Sequence, residues 1–88
     1  MNMGNEIAIF REVKDKTGVQ SGEIISRSRT WRIHRARILF CQLCRLQGYT
    51  TTEIGVMIQR NHATVLNMLK KYDDLSKFGQ LGYKIVKL

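Results

Sequence analysis

Five arginines lie within eleven residues near the middle of the sequence: Arg27, Arg29, Arg32, Arg35 and Arg37. The guanidinium group binds phosphate oxygens through a planar fork of N–H donors. No acidic residue lies between Glu23 and Glu53, whereas an ordinary solvated surface intersperses charges of both signs. The cluster therefore predicts a surface that contacts a polyanion, and the alternative interpretation is a solvated face without a ligand.

The net charge of +8 comes almost entirely from the middle of the 88-residue chain. Residues 24–71 contain nine lysines and arginines and one acid, whereas the two flanking segments are close to neutral. Such a balance favours nucleic acid or an anionic membrane surface as partner. The membrane surface is the weaker candidate, because the basic stretch spans a loop and a core helix rather than one amphipathic helix.

The remaining composition predicts one all-α domain over residues 1–88. Uninterrupted apolar runs reach only four residues, so no membrane span and no signal peptide are expected. Two cysteines are too few for a disulfide scaffold, and a cytoplasmic location is the default. The sequence contains no proline and little strand-type alternation, which favours a compact bundle of about five helices.

The first half of the chain predicts three helices, the first at about residues 3–17. Its apolar stripe at helical spacing ends before Gly18 and consists of Met3, Ile7, Phe10 and Val13. A short turn capped by Ser21 and a loop at 26–30 follow, and Thr30 caps a long helix at 31–47. One arc of this helix is apolar: Ile33, Ala36, Leu39, Phe40, Leu43, Cys44 and Leu46. Because Ile38 and Cys41 interrupt the polar arc that carries Arg35 and Arg37, we expect packing from two sides.

The second half predicts a helix-turn-helix. Thr50 and Glu53 fit a capping box before a short helix that buries Ile54, Met57 and Ile58, and Gly55 would let another helix approach closely. Asn61 is the predicted N-cap of the last helix, which buries Val65, Leu69 and Tyr72. The helical body is predicted to span about residues 3–73, and residues 74–88 form a tail that could be a helix, an arm or an edge strand.

These two regions resemble the C-terminal DNA-binding domain of the bacterial replication initiator DnaA. The matching residues are Ile54-Gly55, then Arg60-Asn61-His62-Ala63-Thr64-Val65-Leu66, and upstream Ser26-Arg27-Ser28-Arg29 through Arg35-Ala36-Arg37. The resemblance covers roughly residues 20–72. It implies an all-α fold of the DnaA C-terminal or Trp-repressor-like type, and binding to double-stranded DNA with the second helix in the major groove.

The resemblance and the charge cluster together assign expected contacts. Arg29 would enter the minor groove, and Arg37 would reach bases or phosphates in the major groove. Base contacts in the recognition turn are expected from Asn61, His62, Ala63 and Thr64. Phosphate contacts are expected from Arg27, Arg32, Arg35, Thr51, Thr52, Arg60, Asn67, Lys70 and Lys71.

Three positions depart from the family pattern. Asn61 stands where the family has aspartate; a carboxylate suits cytosine N4, whereas an amide also donates and suits adenine. Ala63 replaces a threonine and could contact a thymine methyl but cannot hydrogen-bond, and Gln59 replaces a small residue. The nucleotide-binding motif GxxxxGK[ST] of a complete initiator is absent. If the start at Met1 is natural, we expect a stand-alone domain that binds an origin-like site without using ATP.

The other residues that could be reactive or bind a ligand are interpreted as parts of the protein core. Cys41 and Cys44 form a C-x-x-C in the middle of a helix, where neither a redox site nor a zinc site is expected, so we expect two reduced packing cysteines. Trp31 could stack on DNA or pack against the body, and packing is favoured because large aromatic side chains bury most of their surface. No catalytic residue, metal site or cofactor is predicted.

The sequence therefore predicts a cytoplasmic, nucleoid-associated protein that binds double-stranded DNA sequence-specifically and is not an enzyme. Its role would be recognition of an origin in DNA replication initiation or of an operator in transcription regulation. Neither a membrane nor a small-molecule substrate is expected, and protein partners are not specified. The alternative is a helical protein–protein adaptor whose basic face docks on an acidic partner.

Overall fold

The computed structural model describes residues 3–77 and contains five α-helices within that range. They are α1 (Met3–Thr17), α2 (Ser21–Ile25), α3 (Trp31–Leu46), α4 (Thr51–Ile58) and α5 (His62–Lys77). No strand occurs among these residues, and the prediction of an all-α bundle of about five helices is confirmed. Helix α5 continues to Lys77 rather than ending near residue 73, and the rest of the predicted tail, residues 78–88, lies outside the described residues.

Helix α3 is the central element, because it contacts each of the other four helices. Ile38, Leu39 and Phe40 are fully buried, which confirms that α3 packs from two sides. The ring of Phe10 in α1 stacks on Phe40 with centroids 4.3 Å apart. Leu46 was expected in the core, but as the last residue of α3 it is 38% exposed where the chain leaves the bundle.

Helix α1 buries a different stripe from the predicted one. Ile9 and Val13 are buried and Phe10 packs against the core, whereas Ile7 is 65% exposed. Ile7 and Ile9 are separated by about 200° around a helix, so they cannot face the same core. Val13 and Phe10 were predicted correctly, and Ile7 was wrongly placed.

Two glycines end helices as the sequence predicts. Gly18 after α1 and Gly48 after α3 have φ angles of 76° and 93°, which residues other than glycine rarely adopt. Helix α2 begins one residue earlier than the predicted cap implies. Its N-cap is Gln20 rather than Ser21, and the backbone N–H of Gln20 donates to the Glu23 carboxylate at 3.2 Å.

Candidate nucleic-acid interface

Helices α4 and α5 form the predicted helix-turn-helix, and α4 begins with the predicted capping box. The Thr50 hydroxyl accepts from the backbone N–H of Glu53 at 3.1 Å, and the Glu53 carboxylate accepts from the N–H of Thr50 at 2.8 Å. Ile54 and Ile58 are buried as predicted, whereas Met57 is half-buried. The capping box therefore defines the start of the helix that precedes the turn.

The turn between α4 and α5 packs tightly against Gly55. Gln59 adopts the left-handed conformation (φ 58°, ψ 45°), and the N–H of Arg60 donates to the carbonyl of Gly55 at 2.8 Å. A Cβ atom on Gly55 would clash with the carbonyl oxygen of Arg60. The close approach predicted at Gly55 therefore exists, but its partner is the backbone of the turn and not another helix.

Asn61 caps α5, as its side chain predicts. Its Oδ1 accepts from the N–H of Thr64 at 2.9 Å and from the Thr64 hydroxyl at 3.1 Å. His62 and Ala63 are exposed on the first turn of α5, and Thr64 is half-buried. Because Oδ1 is used inside the cap, the amide N–H donors of Asn61 are the atoms that remain for an outside partner.

The packing face of α5 agrees closely with the prediction. Val65 and Tyr72 are buried and Leu69 packs against the core. Met68 was not predicted to be buried, but it is. The opposite face of α5 is exposed and carries Asn67, Lys70 and Lys71. On α4, Thr52 is exposed and Thr51 is half-buried.

The basic loop between α2 and α3 is built from short polar side chains. The Ser26 hydroxyl donates to the carbonyl of Glu23 at 2.6 Å and accepts from the N–H of Ser28 at 3.3 Å. Thr30 occupies the N-cap position of α3, but its hydroxyl pairs with that of Ser28 at 3.3 Å and makes no cap bond to the helix. Arg27 and Arg29 are both exposed on this loop.

Arg37 does not face solvent, whereas the sequence predicts that it contacts bases or phosphates. Only 4% of the residue is exposed. Its Nε donates to the carbonyl of Ile24 at 2.7 Å and its Nη1 to that of Ser28 at 2.6 Å, while Nη2 donates to the carbonyls of Ser26 and Glu23. Carbonyl oxygens of α2 and of the loop thus accept hydrogen bonds from all three guanidinium nitrogens.

Arg60 links the same loop to the turn. Its Nη1 donates to the carbonyls of Ile58 and Gln59 at 3.1 and 3.2 Å and to that of Ile25 at 3.4 Å. Its Nη2 donates to the carbonyl of Ser26 at 2.6 Å. Periodicity gave no sign of this role; the signal is that a loop without regular structure needs donors for its buried carbonyls.

Arg32 and Arg35 also have partners within the protein. Arg32 pairs with the Glu23 carboxylate at 3.1 Å and donates to the carbonyl of Gly18, also at 3.1 Å. The pKa of Glu23 is lowered, first by the backbone N–H of Gln20 and then by Arg32. The pair is exposed, so its contribution to stability is small. Contacts within the protein therefore restrict the side chains of both arginines.

Trp31 lies on the surface beside the basic residues rather than in the core. It is 48% exposed, the guanidinium carbon of Arg35 lies 6.0 Å from its ring centroid, and its ring centroid is 6.0 Å from that of His34. The expectation that Trp31 packs into the body was wrong. It is the first residue of α3, at the junction between the loop and the helix.

A polar cleft of about 340 Å³ lies between the basic loop and the turn. Four of its lining residues are arginines, and the full lining is Ile25, Arg27, Ser28, Arg29, His34, Arg37, Gln59, Arg60 and Met68. Burial lowers the pKa of His34, and the charges of Lys71 and Arg37 lower it further. The cleft therefore presents positive charge and N–H donors, which suits an anionic group.

Cys41 and Cys44 are free and buried, as predicted. Burial raises the pKa of Cys41 to about 12 and also raises that of Cys44. The Cys41 thiol lies 3.7 Å from the sulfur of Met68. Within residues 3–77 there is neither a cluster of three or more metal-ligating side chains nor a helix long and apolar enough to cross a membrane.

Comparison with known proteins identifies the family. The family model for the "Bacterial dnaA protein helix-turn-helix" matches residues 7–71, which include the basic loop, the capping box, the turn and most of α5. No curated protein and no solved structure matches the chain. The chain is therefore a member of the bacterial DnaA helix-turn-helix family, a small helical module that binds DNA.

Proposed function

We propose that the protein binds double-stranded DNA sequence-specifically and recognises a DnaA-box-like site. The observation that supports this most strongly is the shared cleft: Arg60 donates hydrogen bonds both to the basic loop, at Ser26, and to the turn, at Gln59. The loop that carries Arg27 and Arg29 therefore lies beside Gln59 and Arg60, in the turn that leads into α5. Two adjacent elements of this kind can address neighbouring grooves of one duplex.

In this proposal Arg29 enters the minor groove and the first turn of α5 reads the major groove. Asn61 presents amide N–H donors, because its oxygen is used in the cap, and these suit acceptors such as adenine N7. His62 reaches a base edge, and the Ala63 methyl contacts a thymine methyl. Thr64 contributes through its hydroxyl, which Asn61 already orients.

The proposed phosphate contacts come from residues that surround these readers. Five of them are exposed: Arg27, Thr52, Asn67, Lys70 and Lys71. The others are the half-buried Thr51, Arg35 and Arg60, and Arg32, which is paired with Glu23. Such contacts set register and carry most of the affinity, but not the sequence preference. If five or six cations contact phosphate, the slope of log K against log salt should be about −5.

The proposed cellular role is recognition of an origin or operator without ATP hydrolysis, in the cytoplasm at the nucleoid. The 88 residues contain no GxxxxGK[ST] motif, and Gly79-Gln80-Leu81-Gly82 is not one. Binding to such a site could start replication with other factors, compete with a resident initiator or regulate transcription.

Selection of bound sequences from a random duplex library tests the proposal. We expect enrichment of one site, and fluorescence titration at two salt concentrations should give tighter binding to that site than to random 20-base-pair duplex. Arg29→Ala and His62→Ala should each reduce this discrimination. Arg11→Ala removes an exposed cation from α1, outside the basic region, and serves as the control.

The outcome also separates DNA binding from the adaptor alternative. An adaptor that docks its basic face on an acidic protein would enrich no DNA sequence. Absence of duplex binding at low salt, or binding that does not respond to salt, would refute the proposal. If His62→Ala weakens binding to specific and random duplex equally, His62 does not read bases.

A further inference from the structure

Two guanidinium groups converge on the inner side of the basic loop. Arg37, from α3, and Arg60, from the turn, both donate to the carbonyl oxygen of Ser26. Together they bond every carbonyl from Glu23 to Ser26 and that of Ser28, and Arg60 additionally bonds Ile58 and Gln59. The loop is therefore held by two side chains from different parts of the fold, one from α3 and one from the turn.

These two cations are held close together without a carboxylate between them. The ion pair found among residues 3–77 joins Arg32 to Glu23, and the partners shown for Arg37 and Arg60 are carbonyl oxygens. Burial lowers the pKa of Arg37, and the neighbouring charge of Arg60 lowers it further. Burying a cation beside another cation is costly unless hydrogen bonds compensate. The carbonyl oxygens of residues 23–26 and 28 supply these hydrogen bonds, so the backbone there and the two guanidinium groups stabilise each other.

We propose that Arg37 and Arg60 are positioning residues that hold the Arg27–Arg29 segment at a set distance from the first turn of α5, so that the two readouts act as one unit. The inference rests on the proposed function and deepens it. Arg37 is 4% exposed, so it acts through the loop and not by touching DNA. Preorganisation of this kind raises affinity because the loop does not need to be ordered on binding.

The first test uses the free protein and needs no DNA. Backbone amide relaxation should report order parameters near 0.85 for residues 27–29 in the parent protein, and below about 0.6 in Arg37→Met and Arg60→Gln. The control is Arg45→Gln, which also removes a cation and one bond to a carbonyl, that of Tyr49 at 2.7 Å, but lies at the other end of α3. Arg45→Gln should leave residues 27–29 ordered. If Arg37→Met does not fold, Arg60→Gln carries the test.

The second test measures coupling on the duplex obtained by selection. In the parent protein Arg29→Ala should weaken binding about tenfold. In the Arg37→Met or Arg60→Gln background, Arg29→Ala should weaken duplex binding by less than about twofold. His62→Ala should weaken it as much as it does in the parent protein. A general loss of stability would change the effects of Arg29→Ala and His62→Ala on affinity to the same extent, and would not abolish only one of them.

Arg37→Lys distinguishes geometry from charge. It keeps the positive charge but cannot reproduce the planar fork that reaches four carbonyls. We expect it to behave like Arg37→Met in both tests. Full rescue by lysine would show that charge alone is needed and would overturn the positioning role.

The outcomes separate this inference from the proposed function. Loop amides that stay ordered in both variants overturn the positioning role, whether or not the protein binds DNA. An undiminished cost of Arg29→Ala in the variants does the same. If the parent protein binds no duplex while the loop loses its order in the variants, the proposed function fails and the two arginines hold the loop without serving a DNA readout.

Discussion

The side-chain oxygen of Asn61 accepts hydrogen bonds from both the amide and the hydroxyl of Thr64, so the helix cap and the first turn of α5 share one hydrogen-bond network. A predicted consequence concerns Asn61→Asp. Aspartate caps helices as well as asparagine does and interacts favourably with the helix N-terminus, so the free energy of unfolding should change by less than about 0.5 kcal/mol. The loss of the amide donors should shift base preference at the contacted position from adenine toward cytosine.

The measurement combines urea unfolding with a repeat of the duplex selection. Asn61→Ala is the matched comparison, since it removes the cap and should cost about 1 kcal/mol. A strongly destabilised Asn61→Asp, or an unchanged base preference at every position, would contradict this assignment.

Gly55 should not tolerate a side chain. Because a Cβ atom there meets the Arg60 carbonyl, we expect Gly55→Ala to destabilise the protein by about 1–3 kcal/mol, the usual cost of overpacking. Urea unfolding monitored by circular dichroism measures this change. Gly22→Ala in α2 is the control: nothing lies within 4 Å of its Cβ position, so the substitution should be neutral or slightly stabilising. If the two substitutions change the free energy of unfolding equally, the turn moves to accommodate the methyl group at position 55, which contradicts the prediction.

His34 should make the protein less stable in mild acid. Its pKa in the folded state lies below the ordinary value of 6.5, because of burial and the charges of Lys71 and Arg37. As the pH falls below about 6.5 the unfolded chain takes up the proton first, so stability is lost until the folded-state pKa is passed. Thermal unfolding between pH 7.5 and 5 should show this loss, and His34→Gln should reduce it.

His62→Gln supplies the comparison for His34, since His62 is exposed on the first turn of α5. A direct check is the titration of the His34 ring protons by NMR. A midpoint at or above 6.5 would contradict the inferred environment.

The two cysteines should resist thiol reagents in the folded protein. With a pKa of about 12, Cys41 at pH 8 contains about a thousandfold less thiolate than an ordinary cysteine, and burial further hinders access. The pKa of Cys44 is raised as well. Reaction with a disulfide reagent should therefore follow the unfolding rate, and both thiols should react at once in urea. Rapid labelling of either cysteine in the native protein would contradict this packing.

The features that were predictable from the sequence depend on neighbouring residues. The capping box at Thr50 and Glu53, the Asn61 cap and the glycine stop at Gly48 each require contacts within a few positions. The mixed arc of α3 also indicated that the helix packs from two sides. Local chemistry therefore predicts the helices and the caps at both sides of the turn between α4 and α5.

Arg37 and Arg60 could not be assigned in this way. Their acceptors lie 9–14 residues from Arg37 and as many as 35 from Arg60, in a loop whose path periodicity does not describe. One sign was available: Ile38 and Cys41 are apolar residues on the same arc of α3 as Arg37, which indicates that part of this arc is covered. Trp31 shows the opposite case: a large aromatic side chain was expected to be buried, but at the first position of α3 it is 48% exposed.

The arrangement around Ser26 also determines how this protein could be re-engineered. Because the loop carbonyls are bonded by a residue of α3 and a residue of the turn, transplanting only the α5 side chains into another scaffold would leave the loop without its anchors. A working graft must carry residues 23–29 and 58–64 together with Arg37. New specificities are accordingly better sought by varying His62 and Ala63 within the intact unit than by exchanging its parts.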